Sequence, residues 1–202
     1  SILAAFAIHV DVAKAQDACA SLVTLETGAI EGQVYSQNGE DAALEWIVEH
    51  LLEESTKTKW LQPAKSIEKT SLPPALVEIG AGCGSERNTR FLQQRYDLGV
   101  LLFDRESEIP KLNLWKEYFT EDTAVSLLQK YHTPLHPLLL SLDIDGQDWW
   151  VLKSILHAGY RPSLLVLEVN HQLGAQHCVT VPPERTLDAA WSWDGSSSYY
   201  GA

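Results

Sequence analysis

Short apolar runs alternate along the chain with segments in which apolar residues recur at helical spacing. The clearest apolar runs cover residues 76–79, 99–104, 138–142 and 163–169, and a weaker one covers residues 112–119. Runs of this length are typical of strands that are buried on both faces of a parallel sheet. The helical spacing occurs in residues 40–52, 87–96, 120–131 and 149–158. The pattern therefore predicts an α/β fold, with a mostly parallel central sheet and helices on both of its faces.

The first apolar run leads directly into three glycines at alternate positions. Glu78 stands two residues before Gly80, and Gly82 and Gly84 follow. Such glycines let the backbone turn sharply out of the sheet and let a ligand lie against peptide groups. This loop predicts a site for a nucleoside-type cofactor. The dinucleotide fingerprint would place its third glycine at the position of Ser85, so the spacing favours other nucleoside cofactors without excluding dinucleotides.

Acidic residues follow the other predicted strands. Asp104 ends the second strand and can accept hydrogen bonds from ribose hydroxyls. Ligands of parallel sheets bind outside the carboxyl ends of the strands, so these groups should converge on one rim. The candidate general bases at this rim are Asp145, Glu168 and His171. Asp145 has an alternative role as the N-cap of the following helix, with Asp148 in its first turn.

Composition excludes several other functions. The 202-residue chain carries a formal net charge of −12 and has no basic patch, so nucleic acid is not a predicted partner. Three widely spaced cysteines indicate neither a disulfide framework nor a zinc site. The apolar residues 2–10 are too few to span a membrane. They predict either an N-terminal helix or the remnant of a signal or anchor.

Several motifs together resemble the FkbM-type family of S-adenosylmethionine-dependent methyltransferases. The motifs lie at residues 35–41 (YSQNGED), 78–84 (EIGAGCG), 142–148 (LDIDGQD), 161–168 and 193–202. The resemblance implies a Rossmann-like class I methyltransferase fold, with S-adenosylmethionine as the cofactor. It further implies O-methylation of a small-molecule or sugar-containing acceptor, and the cytoplasmic supply of this cofactor favours a cytoplasmic location.

The resemblance also implies roles for individual residues. Gly80, Gly82 and Gly84 would line the methionine part of the cofactor, and Asp143 would lie beneath its sulfonium. Asp104 would hold the ribose hydroxyls, and Asp122 would approach the adenine. Glu78 would either bind the cofactor through water or orient the loop. The same acidic groups could instead hold a hard divalent cation, but no metal is predicted.

The chain divides by these motifs into residues 1–34, an N-terminal helix and linker at residues 35–75, and a cofactor domain at residues 76–202. Residues 53–74 are polar and predict a surface loop. The complete family fold has two further strands that form an antiparallel edge, and the sequence predicts that these are missing here and that the fifth strand is an open edge. Two alternatives remain open, a non-catalytic domain of the same fold and an NAD(P)-dependent oxidoreductase.

Overall fold

The computed structural model describes residues 2–7, 35, 40–61, 73–85, 87–169 and 180, with the backbone alone for residues 2–7 and 169. The strands are β1 (Ile2–Ala7), β2 (Leu76–Ile79), β3 (Val100–Asp104), β4 (Leu114–Lys116), β5 (Leu139–Leu142) and β6 (Leu164–Val169). The helices are α1 (Glu40–His50), α2 (Glu54–Leu61), α3 (Arg90–Tyr96), α4 (Ala124–Lys130) and α5 (Asp148–His157), and Pro110–Leu112 form a 3₁₀ turn.

The strands form one sheet in the order β1-β6-β5-β2-β3-β4. The five strands from β2 to β6 are parallel, which confirms the predicted α/β, Rossmann-like architecture. The chain proceeds from β2 outward through β3 to β4, and then continues in β5 on the other side of β2. The carboxyl ends of β2 and β5 therefore diverge at a topological switch point, where ligands of open α/β sheets bind.

The strand β1 corrects two expectations about the edge of the sheet. Ile2–Ala7 form a strand rather than a helix, and they pair antiparallel with β6, with Ile2 opposite Val169 and Ala7 opposite Leu164. The fifth parallel strand is therefore not an open edge, because a segment from the other end of the sequence covers it. Local sequence patterns do not reveal such a pairing, since the partner strands lie far apart in the chain.

The parallel strands are buried because helices cover both faces of the sheet. On one face Leu76, Leu102 and Leu139 pack with Leu44 and Ile47 of α1. On the other face the buried side chains come from alternate strand positions and from α4 and α5, and they include Val77, Phe103, Leu140, Leu128, Val151 and Ile155. Successive side chains along each strand therefore point to opposite faces of the sheet, and this determines the direction of the last side chain at the rim.

Two local expectations were wrong. Residues 54–61 form the helix α2 within the segment predicted to be a loop, and none of the α2 side chains is buried. Gln147, rather than Asp145, is the N-cap residue of α5. Trp149, in the first turn of α5, has 45% of its surface exposed. Among the described residues, no helix is long and apolar enough to cross a membrane.

Candidate functional site

A cavity of about 220 Å³ opens at the carboxyl ends of β2, β3 and β5. This volume is just below the range of about 300–1,000 Å³ that is usual for small-molecule pockets, so the described walls can enclose part of a nucleoside-sized ligand. The predicted residues that line it are Gly80, Gly82, Asp104, Asp143 and Asp145. The structure thus brings together residues that are 65 positions apart, as the switch-point rule predicts.

Gly80 and Gly82 have different roles in this cavity. Both adopt positive φ angles, +92° and +55°. A Cβ atom on Gly80 would lie 1.6 Å from the carbonyl oxygen of Asp143, so this glycine allows β2 and β5 to approach each other. A Cβ on Gly82 would meet nothing within 4 Å. The space beside Gly82 is therefore open, as a cofactor lying against the loop requires.

Asp104 connects the glycine loop to the loop after β3. Its Oδ2 accepts a hydrogen bond of 3.1 Å from the backbone N–H of Gly82. Its Oδ1 accepts bonds of 2.8 Å from the N–H groups of Glu106 and Ser107. A carboxylate has about four lone-pair positions, so Oδ2 retains capacity for a ligand hydroxyl while the carboxylate is held in place.

Glu78 lies beneath the loop and does not line the cavity. Only 3% of its surface is exposed. Its Oε1 accepts the backbone N–H of Asn88 at 3.0 Å, and its Oε2 accepts that of Thr89 at 3.1 Å together with the Thr89 hydroxyl. Burial raises the pKa of Glu78, although these hydrogen bonds oppose the shift. These contacts support the loop-orienting role rather than a direct contact with the cofactor.

Asp143 and Glu168 form a carboxyl pair at the floor of the cavity. Asp143 lines the cavity, whereas Glu168 is only 2% exposed and lies behind it. The two side chains hydrogen-bond to each other, and burial with the nearby charges of Glu168 and Asp148 raises the pKa of Asp143 to about 9. Two carboxyl groups so close share a proton at neutral pH.

The turn after β5 presents Asp145 to the cavity. Asp145 has a φ of +55°, and Gly146 follows with a φ of +107°. The turn is held by Asp148, whose carboxylate accepts the N–H groups of Ile144 and Gly146 at 3.1 and 3.0 Å. Burial raises the pKa of Asp145, and the charge of Arg105 opposes that shift. Asp145 is therefore directed to the cavity rather than used as a helix cap.

Several lining residues were not predicted from the sequence. Arg105 follows β3, and Glu117, Tyr118 and Phe119 follow β4. The last three of these residues fall within the weak apolar run that predicted a strand over residues 112–119. In the structure β4 ends at Lys116, so they follow the strand instead. A correct strand end would have placed these residues at the rim, since all parallel strands end there.

The remaining predicted residues are not in this cavity. Gly84 lines a different cavity, and Asp122 is exposed and outside the lining of the first one. His171 and the motif at residues 193–202 lie outside the described residues. Within the described part of the chain, no group of three or more His, Cys, Asp or Glu side chains is arranged to hold a metal ion.

Comparison of the chain with the models of known protein families found no match, and comparison with curated proteins found none either. Neither comparison assigns the chain to a family.

Proposed function

We propose that the chain is an S-adenosylmethionine-dependent methyltransferase that acts on a hydroxyl group of a small-molecule or sugar-containing acceptor. The observation that carries the proposal is the acidic cavity at the switch point, where Asp104, Asp143 and Asp145 stand around the open space beside Gly82. Carboxyl groups stabilise a sulfonium cation by direct charge attraction, and they disfavour a pyrophosphate. The resemblance of the sequence motifs points to the same cofactor.

The start of α3 argues against a dinucleotide. Dinucleotide sites use the free N–H groups at the start of the helix after the glycine loop to bind the pyrophosphate. In this chain the N–H groups of Asn88 and Thr89, just before α3, already donate to the carboxylate of Glu78. They are not available to a phosphate. This contact favours the methyltransferase over the oxidoreductase alternative.

The cavity residues fit the parts of S-adenosylmethionine. Gly80 and Gly82 would lie against its methionine portion, Asp104 would accept from its ribose hydroxyls, and Asp143 would face its sulfonium. Phe119 and Tyr118 supply ring surface beside these groups for the adenine. When bound, S-adenosylmethionine supplies an electrophilic methyl group.

The chain must align the acceptor and remove the proton of its hydroxyl group. Asp145 is the described candidate base that lines the cavity, and its raised pKa makes it a stronger base than an exposed aspartate. Glu168 acts on the acceptor only through Asp143 in this arrangement, because it lies behind that residue. His171 remains a second candidate base.

Calorimetric titration tests the proposal. We expect S-adenosylmethionine and S-adenosylhomocysteine to bind saturably to the folded protein and NAD not to bind. Binding of S-adenosylmethionine without methyl transfer to any of a panel of hydroxyl acceptors would favour the non-catalytic alternative. Binding of NAD in place of both adenosyl compounds would overturn the proposal.

A further inference from the structure

A second cavity, of about 430 Å³, lies beside α3. It shares no lining residue with the first cavity. Its wall includes Gly84 at the end of the glycine loop, Arg87 just before α3, and side chains of α3 itself, among them Arg90, Gln93 and Gln94. The function proposed above does not use this cavity.

Arg87 is the unusual residue of this wall. Its side chain is buried, with 4% of the residue surface exposed. Its Nη2 donates to the side-chain oxygen of Gln93 over a long 3.3 Å, and its Nε and Nη1 have no hydrogen-bond partner in the part of the chain that the structure describes. Buried arginine donors without acceptors are costly, because a guanidinium keeps its charge when it leaves water.

The described part of the chain supplies little countercharge to Arg87. Glu78 is the carboxyl group that acts on Arg87 electrostatically, but the hydrogen bonds of Glu78 go to Asn88 and Thr89. Burial lowers the pKa of Arg87, and the neighbouring charge of Arg90 adds to this effect. Asp97 also lines the cavity, from an exposed position after α3. Among the described residues, Arg87 therefore has no paired carboxylate of the kind that buried arginines normally have.

Tyr35, which begins the motif at residues 35–41, supports the same wall. The ring of Tyr35 lies 4.2 Å from the guanidinium of Arg90, and its hydroxyl donates to the side-chain oxygen of Gln94 at 2.7 Å. Arg90 also donates to the carbonyl of Ser85 at 2.9 Å. These contacts hold Arg90 on the cavity beside Arg87. Tyr35, the first residue of that motif, thus contributes to the wall of the second cavity.

We propose that the second cavity binds the oxyanion of a small molecule, a carboxylate or a phosphate group, between Arg87 and Arg90. The oxyanion replaces the weak Gln93 contact and gives the guanidinium of Arg87 a charged acceptor. Charge-assisted bonds from arginine to such groups are about twice as strong as neutral ones. The chain carries a net charge of −12, which repels anions in general, so saturable binding requires a local site of this kind.

Titration with inorganic phosphate and with acetate at constant ionic strength tests the proposal. The Arg Nε–H signals in ¹H–¹⁵N spectra of the whole chain report binding, and the spectrum of Arg87→Gln identifies the Arg87 signal. We expect that signal to shift saturably. Tighter binding of phosphate would assign a phosphate group and tighter binding of acetate a carboxylate, and both results support the site.

Matched variants decide whether the effect is local. Arg87→Gln should weaken binding about tenfold or more, as expected for the loss of hydrogen bonds from a charged donor. Arg95→Gln is the control, because Arg95, on α3, is exposed, paired with Glu45 and outside the lining of the second cavity. If Arg87→Gln does not fold, Arg90→Gln, at a partly exposed position, should weaken binding in its place. No saturable shift in the wild type, or equal weakening in Arg95→Gln, would overturn the proposal.

Discussion

The acidic residues at the rim differ in what surrounds them, and this difference assigns their roles. Asp104 accepts three backbone N–H groups, Asp143 faces other carboxyl groups, and Asp145 stands in a strained left-handed turn. Burial and like charges favour the neutral form of Asp143. The rim therefore combines two kinds of carboxyl group. Asp104 is held in place and can accept hydrogen bonds from hydroxyl groups, and Asp143 can change its charge state when a cation binds nearby.

The raised pKa of Asp143 predicts a pH-dependent stability. The native state holds a proton on Asp143 up to a pH of about 9, whereas the unfolded chain loses it near the ordinary value of 3.8. Stability is therefore lost progressively as the pH rises from 4 towards 9. Asp143→Asn should remove this loss, so its gain in the free energy of unfolding should be larger at pH 8 than at pH 5, by roughly 1 kcal/mol or more. Urea unfolding at the two pH values measures it, and an equal effect at both would contradict the account.

Substitution by alanine should have different effects at the two cavity glycines. Gly80→Ala should destabilise the protein by about 4 kcal/mol or more, since its Cβ would collide with the backbone of Asp143. Gly82→Ala should cost only about 1 kcal/mol for its left-handed φ, but it should weaken the binding of S-adenosylhomocysteine. Urea unfolding and calorimetry separate the two effects. Unchanged binding by a folded Gly82→Ala would show that the cofactor does not lie against this glycine.

At the scale of elements, the loop between β2 and α3 is held by a residue from the strand that precedes it. Glu78 points to the face of the sheet that α3 covers and accepts the N–H groups at the start of that helix. The side chains of α3 offer no cap of their own, since Thr89 makes no side-chain capping bond. The glycine loop is therefore fixed at both ends, by Glu78 below it and Asp104 beside it.

This arrangement predicts a large effect of Glu78→Ala. The buried N–H groups of Asn88 and Thr89 would lose their acceptor, so the free energy of unfolding should fall by about 2–4 kcal/mol. Glu106→Ala is the control, because Glu106 pairs with Arg105 at the surface with 77% of its side chain exposed, and it should change the stability by less than about 0.5 kcal/mol. Similar urea midpoints for both variants would contradict the role of Glu78.

The elements differ in how well the sequence predicts them. Strands β2, β3, β5 and β6 could be predicted because burial on both faces makes them continuously apolar. The helix α2 could not, since it has no apolar face and buries no side chain. The sequence correctly grouped Asp104, Asp143 and Asp145, which directly follow or end strands. It did not predict that Gly84 and Asp122 lie outside the lining of this cavity, because the path of a loop depends on tertiary contacts.

For the whole molecule, the sheet is completed by the strand β1 from the start of the chain. Every residue of Ile2–Ala7 pairs antiparallel with a residue of β6, so β6 is not an open edge of the sheet. This long-range pairing also brings Ile2 to the end of the sheet where Val169 and the rim lie. Strand edges left unpaired are sites of self-association, so β1 protects the sheet from aggregation.

Removal of residues 1–7 tests this role of β1. Each backbone hydrogen bond lost contributes about 0.5–1.5 kcal/mol, so the free energy of unfolding should fall by roughly 2 kcal/mol or more. The exposed edge of β6 should also cause concentration-dependent association in light scattering. A truncated chain that is monomeric and as stable as the full chain would show that β1 does not pair in solution.

The position of the cofactor is tested most directly by calorimetric titration of S-adenosylhomocysteine into the wild type, Asp104→Asn and Asp122→Asn. Both variants lose one negative charge, but Asp104 lines the cavity and Asp122 does not. We predict that Asp104→Asn weakens binding about tenfold or more and that Asp122→Asn leaves it unchanged. Weakening by Asp122→Asn alone, or no binding to the folded wild type, would contradict a cofactor site between β2, β3 and β5.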